Sequence, residues 1–444
     1  MTLLARRSAL QLGIAALGAC ALTACGDDGP SPRGRTPAEV DGIELVSSDV
    51  RRAAGDPSLV APVVAGLDAF AGRLYGELAG AGGDNLGISP YSVLVALGMT
   101  LTGAAGTTAD EMRTVLGVGD LGQRWHKGVN ALTATIEGLA GEHERADGSK
   151  AELQLSTADQ VFGQRGVAWE SDFLDLLAKE YGAGLRTVDF ETAAERARTA
   201  INAWVEVQTH DRIVDLLAEG AVDASTRLVL VDAIHLKAAW ENPFEKDLTA
   251  TGPFHRADGS SVEAELMRLP ELSTYLVRGD GWSSVSLPYA GRGLAMTVVL
   301  PDEGALDRVE EQVRSGGFAG FLATADAQPT AVELTLPRWS FRTSAPLKEP
   351  LVELGMPTAF ADGADFTPMT EEDLPLVVAD VVHQGFVAVD EEGTEAAAAT
   401  AVIMAETAVP VTEPFVVDRP FLFVVHDAEH GTPLFVGRVT DPIG

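Results

Sequence analysis

Helical periods crowd the first half of this chain and strand-like runs the second, and that segregation restricts the fold more than any other feature of the sequence. The run "PSLVAPVVAGLDAFAGRLYGELA" repeats apolar residues at helical spacing, with Asp56 before Pro57 as a cap and a first-turn proline. Two more helices are predicted at "SPYSVLVALGMTLTGA", opening on Ser89-Pro90, and at "AWESDFLDLLAKEYGA". Later segments rich in Val, Thr and Leu predict strands: "TRLVLVDAIHLKAAW", "LAMTVVLP", "AVELTLPRWSF", "PLVVADVVHQGFVAVD", "PFLFVVHD" and "TPLFVGRVTDP". A doubly wound parallel sheet would need the two kinds to alternate. They do not, and α+β is the expected class.

With 444 residues, 46% of them hydrophobic, the chain can bury a large core; length alone would allow two or three domains and does not choose. Its 32 basic and 65 acidic residues give a formal net charge of −33, a field that repels phosphate backbones and anionic headgroups, so nucleic acid is not an expected partner. Cys20 and Cys25 are the only cysteines, so no disulfide framework exists beyond them and the fold must hold by packing.

The start, "MTLLARRSALQLGIAALGACALTACGDD", sets Arg6 and Arg7 before an apolar run and ends in small residues. That run is far shorter than the ~20 residues a bilayer core requires, which is the layout of an export signal. Leu22-Thr23-Ala24-Cys25 resembles a bacterial lipobox, whose cysteine is lipidated and becomes the mature N-terminus. Leu17-Gly18-Ala19-Cys20 is an earlier match, an ordinary cleaved secretory signal is the alternative, and the twin arginine with Leu10 resembles a Tat signal. The following "GDDGPSPRGRTPAEVDG" cannot bury enough apolar surface to fold and reads as a tether. The expected organisation is a lipoprotein signal at 1–25, a tether at 26–57 and a folded domain at 58–444, placing the protein on the outer face of a bacterial cell membrane.

Enzyme-like patterns find little support. "GVGDLG", Gly117 to Gly122, matches the dinucleotide glycine pattern but follows the helical stretch "ADEMRTVL" and lacks a strand–turn–helix frame. No GxSxG elbow, HExxH pair or phosphate loop occurs, and His143 in "GEHERADG" has no second ligand at metal spacing. No catalytic residue, metal site or cofactor is expected.

The stretch "NLGISPYSVLVALGMTLTGAAGTTADEM", Asn85 to Met112, closely resembles the N-terminal signature of serpins. The likeness continues through "ADQVFGQRGVAWESDFLDLLAKEYGAGLRTVDF", "INAWVEVQTHDRIVDLLAEGAVDASTRLVLVDAIHLKAAWENPF", "SLPYAGRGLAMTVVLPDE" and "LKEPLVELGMPTAF", and closes with "FVVDRPFLFVVHDAEHGTPLFVGRVTDP". These blocks are colinear over roughly residues 60 to 443. The resemblance implies a serpin fold: one domain of three β-sheets surrounded by about nine helices, with an exposed reactive-centre loop near the C-terminus that serves as protease bait.

In that family the segment resembling Glu391 to Ala401 is the loop's hinge. After a protease cuts the bait bond, the loop enters an existing sheet as a new strand, and insertion between packed strands tolerates only small residues. The matching hinge is Glu391, Glu392, Gly393, Thr394, Glu395, Ala396, Ala397, Ala398, Ala399 and Thr400, and its core-facing positions carry only small groups. Thr394, Ala396, Ala398 and Thr400 alternate to one face, Glu395 falls on the other, and no proline occurs before Pro410. Alanine's helix propensity offers a plainer account of "TEAAAATA". The absence of bulk from the hinge argues for an inhibitor, a suicide substrate that traps a serine protease as a covalent acyl complex. Counting from the hinge places the scissile residue at Thr407, with Ala408 after it; counting back from Pro420-Phe421 gives Val409. The stretch "IMAETAVP", which offers small and medium apolar side chains and no Arg or Lys, suits an elastase-like or subtilisin-like protease. A non-inhibitory carrier serpin is the alternative. The expected partner is the protease alone, engaged by a monomer that touches the membrane only through its lipid.

The family also carries a polar cluster beneath the central sheet, the shutter, matched here by Ser89, Ser92, Asp232 and His383. Asp232 replaces the family's asparagine. A buried carboxylate beside His383 is expected to favour the imidazolium, with stability lost as pH rises past the histidine's titration. Trp240 and Pro288-Tyr289 match the family pattern and read as packing.

Overall fold

The computed structural model describes residues 40–80, 83–323, 328–394 and 412–444. Nine α-helices occur among the described residues: α1 (Val60–Ala79), α2 (Pro90–Leu101), α3 (Gly106–Val115), α4 (Arg124–Glu137), α5 (Ser171–Tyr181), α6 (Phe190–Gln208), α7 (Leu306–Gly316), α8 (Ala319–Leu322) and α9 (Lys348–Glu353). The predicted starts are capped as the residues suggest. Asp56 accepts from the Ser58 N–H ahead of α1, and Ser89 accepts from the Ser92 N–H with Pro90 in the first turn of α2. With its leading turn, α1 is long and apolar enough to cross a membrane, but most of it is buried in the body.

The central sheet contains β1 (Glu44–Val46), β3 (Gly141–Glu144), β4 (Lys150–Thr157), β5 (Gln160–Gln164), β6 (Leu185–Val188), β7 (Leu228–Ala239), β13 (Trp339–Pro346), β14 (Val378–Val389) and β15 (Gly393–Thr394). The remaining strands are β2 (Leu86–Ile88), β8 (Ala250–His255), β9 (Ser261–Gly279), β10 (Trp282–Pro288), β11 (Leu294–Pro301), β12 (Pro329–Pro337), β16 (Glu413–Val416), β17 (Phe421–Asp427) and β18 (Pro433–Val439). They form one hydrogen-bonded group rather than two sheets because β9, 19 residues long, pairs with β8 and β12 along its first part and with β10 along its last.

In the central sheet the order is β1-β6-β5-β7-β15-β14-β13, with β4 continuing the line of β5 along β7. Strand β7 is covered on both faces, as its nearly unbroken apolar run requires. Leu228, Leu230, Ile234, Leu236 and Ala238 face the main core, while Val229, Val231 and Ala233 pack with Ile201, Trp204 and Val205 of α6. Asp232 falls on the core side of this alternation and is fully buried.

The body begins earlier than the sequence suggests. Residues 40–56, expected as the end of a tether, run along it: β1 pairs antiparallel with β6, and Val40 and Ile43 pack against the α6 cluster. Arg52 Nε donates to Asn130 Oδ1 at 2.8 Å and its guanidinium meets Glu137 at 2.8 Å. The segment supplies few apolar residues, but the three-residue pairing with β6 and the Ala53 and Asp56 N–H bonds to the Lys179 and Lys127 carbonyls help hold it without a core of its own.

Candidate functional site

Strands β7 and β14 are parallel neighbours, paired from Leu228↔Val378 to Ile234↔Gly385. Above that point they part, and β15 fills the gap: Thr394 pairs with Ala238 on one side and Val389 on the other, and Gly393 with Ala239. Two hinge residues therefore already sit as a short antiparallel strand at the head of the β7–β14 seam. Gly393 is required by close approach, since a Cβ there would lie 2.1 Å from the Ala238 carbonyl oxygen. Thr394 Oγ1 is 2.6 Å from the buried hydroxyl of Tyr289. That ring stacks on Trp240 with centroids 4.6 Å apart.

The turn entering β15 is held by both backbone and charge. Trp240 donates its backbone N–H to the Glu392 carbonyl at 2.9 Å and its indole N–H to the Asp390 carbonyl at 3.0 Å, while Phe244 N–H donates to the Glu391 carbonyl at 2.9 Å. Glu391 is buried; its carboxylate accepts from Thr249 Oγ1 at 2.6 Å and meets Arg338 at 2.8 Å. Glu392 pairs with Lys246 at 3.0 Å. Trp240 and Tyr289, which the sequence presents as packing, are thus contacts of the hinge itself. Glu395, Ala396, Ala397, Ala398, Ala399, Thr400, the bond between Thr407 and Ala408, and Cys25 lie outside the described residues.

Lower on the seam, Asp232 and His383 face each other across the parallel ladder. Ser89, at the N-terminus of α2, gives its backbone N–H to His383 Nε2 at 3.1 Å. A backbone N–H can only donate, so Nε2 is an acceptor, and the ring proton resides on Nδ1, hydrogen-bonded to Asp232 Oδ1. The ring thus bridges the first turn of α2 and β7, Nε2 against the Ser89 N–H and Nδ1 against Asp232.

The raised group of the cluster is one the sequence does not point to. Asp159 lies in the two-residue break between β4 and β5, in the same cross-strand row as Asp232, because Gln160 pairs with Val231. Ser92 Oγ donates to Asp159 Oδ1. Burial and then the charge of Asp232 push the Asp159 carboxyl well above the usual carboxylate range. Asp232 is itself fully buried, so its carboxylate acts on Asp159 with little screening and favours the protonated form of that acid. All four expected shutter residues are brought together, with Asp159 as a fifth member.

No group of three or more His, Cys, Asp or Glu side chains suited to a metal occurs among the described residues, and His143 Nε2 is engaged by the Leu139 carbonyl at 2.7 Å. The family model described as serpin (serine protease inhibitor) matches residues 65–442. This chain belongs to the serpin family. A serpin-like protein of Thermococcus kodakarensis is 34% identical over 86% of this chain and 86% of its own length. The leukocyte elastase inhibitor of Sus scrofa is 34% identical over 81% of this chain and 93% of its own. Among solved structures, the thermophilic serpin tengpin in its native state superposes with a TM-score of 0.77 at 25% identity, covering 89% of this chain and 97% of that one. Human thyroxine-binding globulin with its hormone gives a TM-score of 0.75 at 25% identity, covering 87% and 100%. Serpins are in general inhibitors of proteases rather than catalysts, and protease inhibition is the general activity that membership supports.

Proposed function

We propose that this serpin is a suicide-substrate inhibitor of serine proteases, working by insertion of its cleaved loop into the β7–β14 seam. The observation that carries this is the pairing of Gly393 and Thr394 within the seam. Continuing their register brings Ala396 beside Leu236 and Val387, Ala398 beside Ile234 and Gly385, and Thr400 between Asp232 and His383. The first four residues bound for the core face, Thr394, Ala396, Ala398 and Thr400, are small. On the other face Glu395 meets Lys237, an opposite charge.

The chemistry belongs to the protease. Its serine oxygen attacks the Thr407 carbonyl, the peptide bond to Ala408 breaks with a proton going to the Ala408 nitrogen, and an ester joins Thr407 to the enzyme. The fragment from Ala408 stays with the body through β16, β17 and β18 until denaturation. Insertion from Thr394 to Thr407 carries the ester roughly 40 Å at ~3.3 Å per residue. New ladder bonds on both sides, each worth about 0.5–1.5 kcal/mol, supply on the order of 10 kcal/mol to distort the attached enzyme before water reaches the ester. The small and medium apolar side chains around Thr407 and the lack of Arg or Lys support an elastase-like or subtilisin-like target. Lipidation at Cys25 of an exported chain would hold this monomer at the outer face of a bacterial membrane, with the protease as its partner.

Incubation with neutrophil-type elastase, subtilisin, chymotrypsin and trypsin, followed by denaturing gels and intact mass, tests this. The expected result is a complex that survives boiling in detergent with elastase or subtilisin, and a released peptide beginning at Ala408. A cut loop without complex from every enzyme would favour the carrier alternative, for which the thyroxine-bound relative is the precedent.

A further inference from the structure

The hairpin of β3 and β4 reaches past the end of its pairing with β7, which closes at Leu153↔Ala238. Its turn, Arg145 to Ser149, therefore lies over Trp240 and Glu241, at the end of β7 where the loop enters. Arg145 is buried, 3% exposed, and donates Nε to the Trp240 carbonyl at 2.7 Å and a terminal nitrogen to Ser149 Oγ at 3.2 Å. The turn is braced by Arg145 N–H to the Ser149 carbonyl at 2.8 Å. Beside it, the Ala146 N–H and Arg292 Nε converge on Glu241 Oε1 at 3.1 and 3.2 Å. Gly291 of that second turn lies so close to the hairpin that a Cβ there would be 2.4 Å from His143 Nδ1.

None of these groups touches the hinge, yet all bear on the residue that does. Trp240 holds Asp390 and Glu392 by its two N–H groups, and its own carbonyl is held by Arg145. A fully buried guanidinium is costly, and beyond the Ser149 bond inside its own turn this one is placed on the Trp240 carbonyl. Resting on the insertion mechanism above, we infer that Arg145 is a positioning residue: through Trp240 it latches the upper end of β7 and sets how readily a strand gains entry to the seam. Loss of the latch frees β7 to move from β14 before any cleavage, so the seam accepts a strand too easily.

The test uses the full chain in mild detergent and a synthetic peptide with the sequence of residues 394–407, whose uptake into the seam is followed by fluorescence of a label on the peptide. The intact protein takes it up slowly. Arg145→Ala is expected to accelerate uptake about tenfold, the worth of one hydrogen bond to a charged group, and to lose inhibitory titre correspondingly faster at 37 °C. Arg145→Lys, which keeps a charged donor without the fork, falls between them and serves where Arg145→Ala does not fold. Wild-type uptake with equal rates in all folded variants would overturn the latch and leave insertion standing. No uptake by the wild type, under conditions where its fold is intact, would overturn insertion and the latch with it.

Discussion

Thr394→Arg is expected to abolish inhibition while leaving the loop cleavable. Thr394 is 3% exposed at the head of the seam, its hydroxyl bonded to that of Tyr289, and the next core-facing positions hold only alanine. A guanidinium there would be buried beside a stacked Trp240–Tyr289 pair, at a cost of several kcal/mol. Since each ~1.4 kcal/mol on the insertion barrier is tenfold in rate, hydrolysis of the ester overtakes insertion and the protein becomes a substrate. Titration against an enzyme that the wild type inhibits checks this: moles of serpin consumed per mole of protease inactivated should rise about 100-fold or more, with Thr394→Ser close to wild type. Unchanged stoichiometry in Thr394→Arg would show that the seam is not where the loop goes.

Asp159→Asn is expected to remove a pH dependence from the native fold. The Asp159 carboxyl is raised in the folded state by burial and by Asp232, so folding favours its protonated form. Below the ordinary value near 3.8 both states hold the proton and nothing is lost. As pH climbs, the unfolded chain releases the proton while the folded one retains it, and stability falls until the raised folded value is passed. Each unit of the upward shift removes about 1.4 kcal/mol at neutral pH. An asparagine can donate to Asp232 and accept from Ser92 without titrating. The variant should therefore be more stable than the wild type at pH 7.5, with the gap closing toward pH 4. Calorimetric midpoints at a fixed scan rate between pH 3.5 and 8 decide the matter, and parallel curves for the two proteins would refute it. The cluster that faces this carboxyl comprises Asp232, His383, Ser92 and the buried Tyr91 phenol.

What could be read directly from the residues was whatever is written locally. Runs rich in Val, Thr and Leu placed β7, β14, β17 and β18, Asp56 and Ser89 announced their helices, and the alanine run after Gly393 states its demand for small side chains. What stayed hidden depends on register between distant strands. Asp159 sits in "STADQVF", where an aspartate reads as an ordinary loop residue; only the pairing of β5 with β7 brings it into the row of Asp232 and His383. The contact made by His383 Nε2 was equally out of reach, because its partner is a backbone N–H nearly three hundred residues away, at Ser89. Residues 40–56 looked like tether because their apolar content is low, and β6 holds them through backbone pairing that composition does not display. Arg145 lay in a polar hairpin, and nothing near it in sequence mentions Trp240.

Hydrogen exchange before and after a single cut in the loop tests the central claim most directly. Among the described residues of the intact protein, the edges of β7 and β14 above Ile234 and Gly385 are bridged by Gly393 and Thr394. Insertion predicts that, after cleavage near Thr407, amides on both strands along that edge exchange more slowly, together with those of residues 395–401, and that they remain protected on heating. Exchange on these strands that is unchanged or faster in the cut protein would contradict insertion.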